Sequence, residues 1–170
     1  MLYREFVGRS SGPVRNVVER DAVRHFAEAI ADPSPLYRDE ERAKRSRYGR
    51  LLAPPTFPRT FDYGRVEGLE LPPAGLIHGE FRISYRRPLL VGDELLCRLK
   101  LKDSYDKEGR RGLLGFLLFE RTGESADGDL IFTTNDTVVV TEAVRAEISD
   151  WAVCLSGRWQ TRWKNAPRPP

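Results

Sequence analysis

Asp32 and Tyr37, a carboxylate and a phenol close together in the run Asp-Pro-Ser-Pro-Leu-Tyr, are the first groups in this chain whose types and spacing could move protons. Asp32 can take a proton from water. A phenol, with an ordinary pKa of about 10, cannot share protons near neutrality as an imidazole of about 6.5 can. Tyr37 is therefore a poor base. His78 enters a strand-like run, where a histidine is ordinarily a satisfied structural group, and Asp32 with His78 is the pair to test for residual chemistry. The other imidazole, His25, lies beside the apolar face of a helical pattern and reads as a surface group. Taken alone, Asp-Pro-Ser-Pro-Leu reads rather as a helix-stopping turn, with Asp or Ser capping the next helix.

The run extends further than a turn needs. From Asp32 through Asp39, Ala43, Tyr48, Gly49, Leu52 and Ala53 it resembles, without a gap, the active-site segment of the MaoC-like (R)-specific enoyl-thioester hydratases. That segment usually reads Gly-Asp-x-Asn-Pro-Leu-His-x-Asp, then Ala, a Phe-Gly or Tyr-Gly pair, and Ile-Ala-His-Gly-Met. The resemblance implies a water-adding or water-removing site on a trans-2-enoyl or (3R)-hydroxyacyl thioester, with Asp and His sharing the water. It also implies substrate contacts at Ser34, Pro55 and Thr56. Two positions depart from the pattern: Tyr37 stands at the histidine, and Pro55 at the glycine whose N–H stabilises the thioester oxygen. Proline has no N–H, and one absent oxyanion donor costs roughly 100- to 1,000-fold in rate. The catalytic residues are thus open, with Asp32, Tyr37 and His78 as candidates, and this copy reads as non-catalytic on its own.

A second phrase, Ile77-His78-Gly79-Glu80 continuing to Tyr85-Arg86-Arg87-Pro88-Leu89 and Gly92-Asp93, resembles the degenerate N-terminal half of two-domain MaoC-like dehydratases, the FAS1-like dehydratase type. There the second half carries the intact Asp/His site. The implied partner is an intact MaoC-like subunit, or a second copy of this chain. The implied ligand is an acyl thioester of coenzyme A or an acyl carrier protein, whose negative charge Arg82, Arg86 and Arg87 could meet. No cofactor beyond that thioester is expected.

The elements that must position these residues are set by periodicity. Val14 to Glu19 reads as a strand. Asp21 can cap a helix whose Val23, Phe26, Ala27 and Ile30 share a face. Asp39, Glu40 and Glu41 precede Arg42, Lys44, Arg45, Arg47 and Arg50, an order that a helix macrodipole favours. Pro55 to about Tyr63 predicts a short helix interrupted by Pro58. From Leu76 the character changes to strands: Phe81, Ile83 and Tyr85 alternate with polar residues, Leu95 to Leu101 likewise, and Leu113 to Phe119 and Leu130 to Val140 are β-rich. Lys107-Glu108-Gly109 and Asp127-Gly128 read as hairpin turns. This order is α+β and resembles a single hot-dog fold, a sheet wrapped around a central helix. The hot-dog domain is expected over residues 1–141. An amphipathic helix is expected over 142–157, carrying Val144, Ile148, Trp151 and Leu155 on one face. A tail over 158–170 holds Trp159 and Trp163 among Arg158, Arg162 and Lys164.

Composition bounds the remainder. At 170 residues, 40% hydrophobic and 31% charged, the chain suits one soluble domain. Its N-terminus has no signal-like apolar region, and no stretch reaches the ~18 apolar residues of a membrane helix, so a cytoplasmic protein without a membrane partner is expected. A net charge of +3 accompanies no nucleic-acid-binding pattern. Cys97 and Cys154 lack metal-ligand or disulfide-scaffold spacing, and no metal is assigned. Two rival readings stay open: a homodimer active by itself, and a non-enzymatic acyl-thioester binding protein.

Overall fold

The computed structural model describes residues 1–110, 112–146 and 148. Five strands form one antiparallel sheet: β1 (Val14–Val17), β2 (Leu76–Tyr85), β3 (Glu94–Gly109), β4 (Gly112–Ser125) and β5 (Leu130–Val140), in the spatial order β1-β3-β4-β5-β2. The fold is the hot dog expected from the sequence.

The long β3–β4 hairpin stays paired out to Gly109 opposite Gly112. Lys107-Glu108-Gly109 is therefore strand and the reversal lies just beyond it, because the pairing of Glu108 with Leu113 favours continuing the ladder. The β4–β5 turn falls where Asp127-Gly128 predicts it. There the Gly128 N–H donates to Ser125 O at 3.0 Å with φ at +88°, a left-handed conformation that glycine adopts without a Cβ penalty.

Alternation along the strands separates the faces. On β5, Phe132, Thr134, Asp136 and Val140 point inward and are buried. Irregularities between Leu101 and Asp103 and between His78 and Glu80 bend the sheet. Gly123 makes a further concession to curvature, since a Cβ there would sit 2.2 Å from the Phe132 ring.

Helix α1 (Arg20–Ala29) buries Val23 and Ala27. Glu19 stands at its N-cap with no side-chain bond, so Asp21 lies in the first turn rather than capping. Ile30 is already outside the helix and 45% exposed, because Ala31 turns left-handed at φ +54° and the Asp32 N–H closes onto Ala27 O. Helix α2 (Glu40–Arg45) is capped by Asp39, whose Oδ1 accepts from the Arg42 N–H at 3.0 Å, with its basic residues in the last turn.

The central helix expected over Pro55 to Tyr63 is reduced to one 3-10 turn, Phe57–Thr60. The N–H groups of Phe57, Arg59 and Phe61 bond three residues back, to Pro54 O, Thr56 O and Pro58 O, and Phe61 turns extended, so no α-helical ladder follows. Phe57 and Pro58 still face the core.

Two apolar clusters result. One gathers Val18, Val23, Ala53, Phe57, Leu89, Leu95 and Phe132; the other gathers Leu101, Leu117, Phe119, Val140, Val144 and Ile148. Residues 142–146 are helical, and both Val144 and Ile148 are buried, so the start of the predicted C-terminal helix packs on its own sheet. Trp151, Leu155, Cys154 and the tail, with Trp159 and Trp163, lie outside the described residues. Among the described residues no helix is long and apolar enough to cross a membrane.

Candidate functional site

Two places on the molecule bear on chemistry. The first is the segment that begins at Asp32. Its second half is pinned to the loop before β3: the Ala53 N–H donates to Leu89 O at 2.9 Å, and the Val91 N–H to Leu51 O at 2.8 Å. The Leu52 N–H donates to Leu36 O at 3.0 Å and ties the two halves together. Asp93 anchors this corner. Only 8% exposed, it takes the Arg50 and Arg87 guanidinium groups and the Leu90 N–H on its carboxylate.

Within this frame Asp32 is half-buried, and its Oδ1 accepts from the Ser34 N–H at 2.9 Å, a turn that uses the carboxylate locally. Tyr37 packs on the first apolar cluster. Burial first, and the nearby Asp32 charge second, push its phenol above the usual value and make it a weaker acid–base partner still. Pro55 and Thr56 are exposed just before the 3-10 turn. The Pro55 carbonyl accepts from the Tyr85 hydroxyl at 2.7 Å, so this position presents an acceptor already in use.

Of the three arginines that could meet a carrier, Arg82 pairs with Glu80 at 2.8 Å and Arg87 serves Asp93. Arg86 is exposed, with its backbone N–H given to Ile131 O at 2.8 Å.

The second place is the concave face of the sheet between the two clusters. A cavity of about 330 Å³ lies there, walled by Phe61, Phe81, Leu99 and Val138 and containing His78, Arg59, Tyr63, Arg121, Thr134 and Asp136. His78 therefore belongs to this cavity, with its Nε2 3.3 Å from Arg59 Nη1, whereas Asp32 and Tyr37 are not among the residues that line it. Arg121 and Asp136 form an ion pair in which the Asp136 side chain is 5% exposed. Burial lowers the Arg121 pKa, and the guanidinium stacks 5.5 Å from the Tyr63 ring centre. The Tyr63 hydroxyl donates to Pro58 O at 2.7 Å, and burial pushes its pKa up. Cys97 is a buried free thiol raised to about 12 by the same cause, which leaves it protonated and inert.

Asp136 and Arg121 were legible in one respect only: each occupies an inward position of a strand whose other inward residues are mostly apolar. A groove of about 700 Å³, lined by Val66, Leu69, Leu71, Leu99 and Phe119 together with Arg65, Glu67 and Glu70, adjoins the cavity at Leu99. No group of acidic, histidine or cysteine side chains able to hold a metal occurs among the described residues.

Comparison with known proteins fits this geometry. A family described as the FAS1-like, dehydratase domain region matches residues 5–134. A UPF0336 protein of Thermobifida fusca is 34% identical over 146 residues, spanning 82% of this chain and 93% of the relative. Among solved structures, the C-terminally truncated HadBC (3R-hydroxyacyl-ACP dehydratase) complex of Mycobacterium tuberculosis superposes with a TM-score of 0.65 at 22% identity, over 81% of this chain and 99% of that one. A MaoC-like dehydratase superposes equally well, 0.65 at 24% identity, and there the chain spans 43% of the longer protein.

Proposed function

The chain belongs to the FAS1-like dehydratase domain family, and from that membership we propose that it is the degenerate, non-catalytic subunit of a (3R)-hydroxyacyl-thioester dehydratase or enoyl-thioester hydratase. It completes a double hot dog with a MaoC-like partner that supplies the Asp/His pair, and it shapes the acyl path in the cytoplasm. The observation that carries this reading is Pro55: where the family resemblance expects an oxyanion donor there is no N–H, and the Pro55 carbonyl is occupied by Tyr85. Tyr37, with its phenol raised further by burial, compounds the loss.

Two further features support the partnership. The HadBC structure is a complex of a 3R-hydroxyacyl-ACP dehydratase, and the MaoC-like dehydratase is a chain more than twice as long as the stretch this one covers. The apolar side of the groove, over Leu69, Leu71, Leu99 and Phe119, offers a wall for an acyl chain delivered on coenzyme A or an acyl carrier protein. Arg86 is the arginine best placed to meet the carrier's phosphates, because Arg82 and Arg87 already serve carboxylates.

The test is hydration of crotonyl-CoA by the pure chain and by the chain co-purified with an intact MaoC-like partner. Turnover is expected only in the mixture, and Tyr37→His alone should leave the pure chain inactive. Robust hydration by the pure chain, abolished by Asp32→Ala, would replace this reading with the self-sufficient homodimer. Saturable acyl-CoA binding with neither turnover nor a partner would replace it with a binding protein.

A further inference from the structure

We propose that the outer face of the sheet, around the row Tyr105, Phe116, Val139 and Ile77, is a docking surface for a second copy of this chain, related to the first by a two-fold axis along that row. The assignment comes from this face alone and stands whether or not the chain serves a thioester dehydratase.

The register builds the row. Tyr105 of β3 stands opposite Phe116 of β4, Phe116 opposite Val139 of β5, and Val139 opposite Ile77 of β2. Directly opposed residues share a face, and the alternating neighbours Ser104, Leu117 and Val140 are buried on the other one, against the core. The row therefore crosses four strands on the side away from the core. Its two ends are exposed, Ile77 by 52% and Tyr105 by 41%, and the Tyr105 and Phe116 rings stack 5.0 Å apart. Leu114 and Leu118, two residues to either side of Phe116, widen it on the same face. Further along this face the charges are spent within the chain: Arg98 pairs with Glu124, Lys102 with Glu120 and Arg82 with Glu80. A contiguous apolar band at one end of an otherwise charge-paired face differs from scattered single apolar residues, which need no explanation.

The residues that flank the band decide what fits it. On β3, Asp103 and Lys107 lie two residues to either side of Tyr105, on its face, and both are exposed. Asp103 Oδ1 accepts from the Ser104 N–H at 2.8 Å, but neither Asp103 nor Lys107 enters an ion pair among the described residues. A two-fold axis along the row, in the plane between two such faces, lays each strand antiparallel on its own copy, to within the ~30° at which twisted sheets cross. It returns Tyr105 to Tyr105, and it brings Asp103 onto Lys107 of the second copy and Lys107 onto Asp103 of the second copy. On β4 the same operation sets Leu114 over Leu118. Opposite charges meet twice and apolar residues meet each other, so one operator satisfies the flanking positions of both strands. A partner of a single charge sign would answer only one of Asp103 and Lys107. Four strands at ~4.8 Å, and the step from Asp103 to Lys107 at ~3.4 Å per residue, give a contact core of about 14 Å each way. That is smaller than the ~800 Å² per side of a standard interface, so association is weak and reversible with concentration.

Sedimentation of the intact chain between about 1 and about 100 µM tests the surface. Concentration-dependent self-association is expected, weakened about tenfold or more by Tyr105→Ser and by Ile77→Ser. The melting of both variants is compared with the parent's to establish that they fold. Asp103→Lys sets lysine against lysine across the axis, and Lys107→Asp sets acid against acid, so each alone should weaken association about threefold or more. An equal mixture of these two variants should recover association, because every facing pair between one variant and the other is again of opposite sign. The proposal is overturned if the parent shows no concentration-dependent association, or if the mixture associates no more tightly than either charge variant alone. It is equally overturned if folded Tyr105→Ser and Ile77→Ser associate as the parent does, which would place the contact at the open edge of β2 instead.

Discussion

In the segment from Asp32 to Ala53 and the loops it packs on, the chain answers its own polar atoms: Asp32 holds the Ser34 N–H, the Pro55 carbonyl holds the Tyr85 hydroxyl, and Asp93 gathers two guanidinium groups and a backbone N–H. On the concave face the reverse holds, with Thr134 Oγ1 and Asp136 Oδ1 buried and unanswered among the described residues. The first region looks chemical in sequence and in three dimensions spends these polar atoms within the chain. The second shows in sequence only its His78 and leaves two buried acceptor or donor atoms without a described partner. What separates them is where each acceptor finds its donor, a question that spacing along the chain does not answer.

The largest test of this contrast is Asp136→Ala. It leaves the buried Arg121 guanidinium without its carboxylate, and breaking a buried pair costs about 3–5 kcal/mol; with Arg121 28% exposed, a loss of about 3 kcal/mol is expected in urea denaturation. A loss near zero would mean that the ion pair does not hold the cavity floor.

Gly123→Ala probes the wall that β4 presents to Phe132 of the first apolar cluster. The new methyl would meet the Phe132 ring at 2.2 Å, and overpacking of this kind costs about 1–3 kcal/mol. If the melting temperature is unchanged, that wall yields, and the curvature attributed to Gly123 is not fixed by this contact.

A smaller effect is expected at Asp32, the residue that looks most catalytic. Asp32→Ala removes one local hydrogen bond and should cost about 1 kcal/mol or less, with no change in the turnover of the pure chain. A cost as large as that of Asp136→Ala would erase the contrast between the two regions.

The smallest is a pH effect at a third place, the partly covered Asp106 carboxylate that Arg145 and the Met1 ammonium share. The Arg145 guanidinium holds the Asp106 carboxyl below its usual value. The contribution is therefore complete above about pH 4, the ordinary carboxylate range, and is lost as the pH falls through the lower folded value. Melting curves between about pH 5 and about pH 2, spanning the carboxylate range, should show Asp106→Asn losing its deficit relative to the parent as the pH drops. A deficit that persists at the lowest pH would assign the effect to packing rather than charge.

The strands were legible because period-two alternation at Phe81–Tyr85, Leu95–Leu101 and Leu130–Val140 reflects one face meeting a core, a constraint that every residue of the strand reports. Helix α2 was legible because Asp39 and the acid-first order act within a single turn. Failures came where the deciding partner was remote or where a local rule competed with another. Lys107-Glu108-Gly109 has turn composition, yet pairing with Leu113 and Leu114 keeps it in the ladder. Pro55 to Tyr63 reads as a helix with a tolerated proline, but its bonds run three residues back and Phe61 turns extended, which leaves only a 3-10 turn. Ile30 fits the helical stripe and still lies outside the helix, because Ala31 reverses the chain first.

By itself the sequence determined the family, the antiparallel sheet and the departure from the catalytic pattern, since all three depend on residue identity: a proline cannot donate, and a phenol cannot replace an imidazole. Only the tertiary structure decided which acids and bases meet. It set His78 beside Arg59 in a cavity that Asp32 does not line, assigned Arg87 to Asp93, and brought Arg121 of β4 onto Asp136 of β5. Electrostatic and hydrogen-bond energies fall within a few ångströms, and residues far apart in the chain come that close only through the register of the sheet.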